Sequence, residues 1–90
     1  MRQLFPHVQI GMDEDDRCIV VIDDYELFDF IADYLGDVCD LPHEFHVSKT
    51  RPGGEVISMF FPLTIPCAAI EDCLSKLSRT EIERIYGLNN

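Results

Sequence analysis

The side chains best suited to chemistry are three histidines, His7, His43 and His46, and four cysteines, Cys18, Cys39, Cys67 and Cys73. Imidazole and thiolate groups serve as general bases, nucleophiles and metal ligands. Their spacing builds none of the arrangements that such chemistry uses. There is no Cys-x-x-Cys pair and no His-Glu-x-x-His motif, and the interval from Cys67 to Cys73 matches no common metal site. His43 and His46 stand three apart in a strand-like segment, where alternation predicts that they point to opposite faces. The run Asp13-Glu14-Asp15-Asp16 lacks the glycine and terminal glutamate of a calcium loop.

Covalent catalysis needs a nucleophile and a base held together. No nucleophile elbow or phosphate loop is present, and Gly53-Gly54 is long enough only for a turn. A dyad assembled by folding alone would leave no signature in the spacing. The expectation is therefore a protein without catalytic residues, metal or cofactor, one that binds rather than reacts.

Cys18 to Asp24, a β-branched run ending in two aspartates ahead of an amphipathic stretch, resembles the opening of a phospho-receiver domain. That resemblance implies an acidic pair holding Mg²⁺, a cation that takes oxygen ligands. It covers only this strand and the following helix. Where the phosphorylated aspartate should lie the chain reads Phe60-Phe61-Pro62-Leu63, with no acid. Asp23 and Asp24 are accordingly read as the end of a strand and the cap of a helix.

Several elements must position whatever site exists. Val8 to Met12 and Arg17 to Ile22 read as strands around the acidic turn, with the second central. A helix from Asp23 or Asp24 to about Gly36 places Leu27, Phe28, Ile31, Tyr34 and Leu35 on one apolar face. Glu26, Asp29, Asp33 and Asp37 lie opposite, flanked by Tyr25 and Phe30. Glu44 to Thr50 and Glu55 to Phe61 form a hairpin over Arg51-Pro52-Gly53-Gly54. In its second strand Val56, Ser58 and Phe60 share one face, while Ile57, Met59 and Phe61 share the other.

Thr64-Ile65-Pro66 opens a further helix carrying Ile70, Cys73, Leu74 and Leu77 at helical spacing. Ser78-Arg79-Thr80-Glu81 has capping-box spacing and predicts a last short helix, with Ile82, Ile85 and Tyr86 inward and Gly87 as its stop. The 90 residues thus predict a single α+β domain in β-β-α-β-β-α-α order, with a mainly antiparallel sheet and helices on one face.

At 47% hydrophobic content the chain has the material for a folded core despite its charge. No segment is apolar enough for a signal peptide or a membrane span, so residence in the cytoplasm is expected. In that compartment the four cysteines read as free thiols acting as small core residues.

Charge placement is the most informative feature. The net charge is −10, and residues 13 to 40 hold eleven acids against one base, Arg17. The remainder has six acids and six bases and is neutral. Such a field repels nucleic acid and anionic membrane and steers a basic protein toward it. The acidic helix, with aromatic anchors, has the physical character of inhibitors of basic enzymes, nucleases foremost, such as bacterial toxin-immunity proteins. The expected partner-binding residues are Tyr25, Glu26, Asp29, Phe30, Asp33, Tyr34 and Asp37. The second expectation is an acidic adaptor or regulatory domain that self-associates as a homodimer through Met59 and Phe61.

Overall fold

Five residues, Cys18–Ile22, make the most apolar strand in the chain. In the computed structural model, which describes residues 1–87, this strand is the centre of the sheet. We number the strands β1 (Arg2–Phe5), β2 (Val8–Met12), β3 (Cys18–Ile22), β4 (Phe45–Arg51) and β5 (Gly54–Phe60). The helices are α1 (Tyr25–Asp33), α2 (Cys67–Leu74) and α3 (Arg79–Gly87). The sheet order is β1-β2-β3-β5-β4, and every pairing is antiparallel. The helices pack on one face, so the domain is two-layered α+β.

The alternation of strands fixes which side chains they meet. Val8, Ile10, Cys18, Val20, Ile22, Ile57, Met59 and Phe61 are all buried on the inner face. Leu27, Phe28 and Ile31 of α1, Ile70, Cys73 and Leu74 of α2, and Ile82 and Ile85 of α3 close over them. Fully burying one such side chain contributes about 1.5–3 kcal/mol. A slip of one residue in any register would turn the whole set outward.

Local chemistry sets the element ends. Asp24 is extended at φ −153°, and its side chain accepts from the Leu27 amide at 2.9 Å, the N-cap of α1. Ser78 Oγ accepts from the Glu81 amide at 3.0 Å, which starts α3 as its capping-box spacing predicts. In the β4–β5 turn Gly53 has φ 94°, a value that its missing Cβ permits after Pro52.

Four features differ from the sequence expectation. The first is β1, an added edge strand paired with β2, so β2 is internal. Its four residues show no alternation long enough to read. The second lies at the end of α1, which does not stop at Gly36 but widens into a π-helical turn, Tyr34–Val38. Asp40, at φ 57°, then breaks the helical path.

The third concerns Met59 and Phe61. Both are fully buried against the helices, so neither is available for self-association. The outward residues of the same hairpin are Phe60, paired with Phe45, and Ser58, paired with Val47.

The fourth concerns the cysteines, which are paired as Cys18–Cys67 and Cys39–Cys73 rather than free. Folding brings β3 against the start of α2 and the exit of the π-helical turn against its end. Neither approach is visible in local spacing. In the chain-entropy picture, loops of 49 and 34 residues correspond to about 4 kcal/mol of stabilisation each, an upper figure because the two loops overlap. Cys67→Ser and Cys73→Ser should each lower unfolding free energy by about 2–4 kcal/mol, as measured by urea titration of the oxidised protein.

Candidate functional site

Two surfaces gather polar groups, one on each side of the sheet. The first is the outer side of α1. With Leu27, Phe28 and Ile31 turned inward, the 3.6-residue repeat leaves Glu26, Asp29 and Asp33 exposed. Asp37 follows, exposed, on the π-helical turn. Residues three or four apart on a helix stand about 5–6 Å apart, so these carboxylates form a row. None of the four makes an ion pair among the described residues.

Other acids of the same segment have structural partners. Asp13 accepts through Oδ1 from the amides of Asp15 and Arg17, both at 2.9 Å, and so organises the β2–β3 turn. Asp24 caps α1, and Asp23 is flanked by His7 and Arg51. The acidic segment therefore divides into groups that hold the backbone and a row on α1 that does not.

The aromatic residues expected beside the row are placed unequally. Tyr25 is 50% exposed. Phe30 and Tyr34 are partly buried against the core and stack nearly parallel, with ring centroids 6.4 Å apart. The Tyr34 hydroxyl donates to the Cys73 carbonyl at 3.1 Å, which ties it to α2. Tyr25 is thus the expected anchor most open to a partner.

The second surface is a cleft of about 360 Å³ on the sheet face away from the helices. Its ionisable residues come from three places in the chain. His7 lies in the β1–β2 turn at φ 73°, and its carbonyl accepts from the Asp23 amide at 3.3 Å. Its Nδ1 stands 3.0 Å from Asp23 Oδ1, and its ring stacks on Tyr86 of α3 with centroids 3.6 Å apart. Arg51, at the end of β4, brings Nη2 to 3.6 Å from Asp23 Oδ2. The sequence places Asp23 at a strand end but carries no signal that joins it to His7, 16 positions before, and Arg51, 28 after. Strand register alone makes that connection.

His43 and His46 also differ from expectation. His43 precedes β4 rather than belonging to it, so strand alternation does not govern it. Its Nε2 lies 3.2 Å from Nδ1 of His46, and both rings lie against Phe28. No group of three or more metal-ligating side chains occurs among the described residues.

Comparison with known protein families, curated proteins and solved structures finds no match.

The histidine contact carries a consequence for pH. Burial, and then the neighbouring His46, hold the His43 pKa below the ordinary imidazole value. The unfolded chain thus takes up a proton at this position before the folded one does. The stability linked to His43 is fully present above its unfolded pKa and is lost as pH falls through the folded value. The urea midpoint should fall between pH 7.5 and 5.5, and His43→Asn should flatten that dependence. An unchanged slope in His43→Asn would assign the acid sensitivity to other groups.

Proposed function

We propose that this protein acts by binding, as a stoichiometric inhibitor or immunity protein that masks the positive surface of a basic enzyme such as a nuclease toxin. The observation that carries this reading is the row Glu26, Asp29, Asp33 and Asp37. These residues are exposed, regularly spaced and unpaired among the described residues, with Tyr25 beside them. The bases nearest other acids are engaged elsewhere: Arg2 with Glu71, Arg17 with Glu44, Arg51 with Asp23 and Arg79 with Glu83. The α1 row is therefore left for a partner's lysines and arginines. Such a row raises encounter rates with a basic cleft. Tyr25 would then bury apolar area at the contact.

In this role the protein uses no cofactor and catalyses no reaction. The same charge disfavours direct contact with nucleic acid or an anionic membrane surface. No described helix is long and apolar enough to cross a membrane. An inhibitor of an intracellular nuclease works in the cytoplasm, where both cysteine pairs would be held as thiols. The reduced chain must then remain folded. Unfolding on reduction at physiological temperature would instead assign the protein to an oxidising compartment.

An adaptor that self-associates is the second reading. The observation favouring it is the outer sheet face, where Phe45 and Val47 of the edge strand β4 are 45% and 44% exposed. Phe45 stacks on Phe60 with centroids 4.7 Å apart, and the Arg17 guanidinium lies 5.4 Å from the Phe45 ring centre. Dimerisation abolished by Phe45→Ser would favour that reading.

The inhibitor reading is tested by replacing Glu26, Asp29 and Asp33 together with Ser. Association with a basic partner recovered from the native host at low salt should slow by about tenfold or more, with the fold unchanged. An unchanged on-rate would move the binding surface off α1. Failure to retain any basic protein at low salt would remove the inhibitor reading altogether.

A further inference from the structure

The cleft on the outer sheet face is built by register. Gln3 pairs with Gln9, Gln9 with Val21, and Val21 with Ser58, which sets one polar and apolar row across four strands. One step along, Lys49 pairs with Val56 in the row that ends on Asp23 and His7. Arg51 lies two residues further on the same face of β4. The side chains of Gln3, Gln9, His7 and Arg51 therefore converge on a hollow whose floor is Val21 and Val56.

Counting hydrogen bonds shows what the hollow lacks. Asp23 Oδ1 is closed off from solvent yet accepts no hydrogen bond, although His7 Nδ1 is 3.0 Å away. That approach lacks hydrogen-bond alignment. Arg51 is beyond hydrogen-bond distance of the same carboxylate. Guanidinium offers five donors and no acceptor, and Arg51 makes no side-chain hydrogen bond among the described residues. The amides of Gln3 and Gln9 make none there either. The solvent-facing donors of the cleft are thus those of Arg51, Gln3 and Gln9, while its one carboxylate among the described residues is flanked by two nitrogen groups.

We infer that this cleft binds a small anion, a carboxylate or phosphate group carried by a small molecule, through Arg51, Gln3, Gln9 and His7. Arg51 would give the two parallel N–H donors that match either oxyanion. The glutamine amides would add neutral donors, and Val21 and Val56 would take an apolar body attached to the anion. The volume of about 360 Å³ is at the small end of ligand pockets. His7 is preorganised for this use: its backbone stands at φ 73° and Tyr86 fixes its ring plane. None of the α1 acids lines the cleft.

Asp23 gives the inference its sharpest test. It is the one carboxylate that lines the hollow among the described residues, so it competes with the ligand for Arg51 and His7. In the intact chain, at pH 6 and constant ionic strength, inorganic phosphate and benzoate are titrated while the side-chain signals of His7, Gln3, Gln9 and Arg51 are followed by NMR. A single saturable site is expected at these four residues. Arg51→Gln should weaken it at least tenfold, and Asp23→Asn should tighten it at least threefold.

Tighter phosphate would identify a phosphate ligand. Tighter benzoate with shifts at the Val21 and Val56 methyl groups would identify a carboxylate on an apolar body. Shifts that never saturate, or that run equally through Lys76, Arg79 and Arg84, would overturn the inference. So would weakening in Asp23→Asn to the same degree as in Arg51→Gln, since the three groups would then be a structural ion cluster. Should Asp23→Asn fail to fold, the exposed Arg51→Gln still decides the question. Neither outcome depends on α1, so the Glu26, Asp29 and Asp33 replacements should leave this binding unchanged.

Discussion

The inner face of β3 is the constraint on which the other elements depend. Val20 and Ile22 have no solvent exposure and Cys18 has 2%, because β2 and β5 flank them while the helix layer closes over them. Both neighbouring strands take their register from this contact, since a slip would expose the apolar set of either one. The register in turn decides what appears on the far side. Asp23 stands beside His7 because Val8 pairs with Ile22, and Val56 lies next to Asp23 because Ile57 also pairs with Ile22. The arrangement of the outer cleft is thus a by-product of burying the core.

This arrangement gives the domain two unlike sides. The helix side carries the carboxylates of α1, which make no ion pair among the described residues. The opposite side carries Arg17, Lys49 and Arg51 among Phe45, Phe60 and Val47. Separation of this kind leaves the outer side close to neutral, because two of its three bases are paired with carboxylates. It also means that the net charge of −10 describes one side of the molecule much better than the other.

Features set by local periodicity were legible in the sequence. The inward set of α1, the stripe from Ile70 to Leu77, the β4–β5 hairpin and the capping serine at 78 all follow from intervals of two, three or four residues. The exposed acids of α1 follow from the same helical repeat. What escaped depends on contacts between distant positions: the two cysteine pairs, and the meeting of His7, Asp23 and Arg51. Burial of Met59 and Phe61 escaped for a different reason. Both faces of β5 are apolar, so pattern alone does not say which face meets the helices. β1 was too short to show alternation, and the His43–His46 contact depends on β4 starting one residue beyond Glu44.

The two cysteine pairs share a topological property. Cys18 and Cys39 precede the β4–β5 hairpin, and their partners Cys67 and Cys73 follow it. A single backbone cut anywhere between Cys39 and Cys67, including the exposed turn at Pro52 and Gly53, leaves two fragments joined at two points. The two fragments of the oxidised protein would stay covalently joined after such a nick. Reduction would then remove the covalent link between the part that carries the N-terminal meander and α1 and the part that carries α2 and α3.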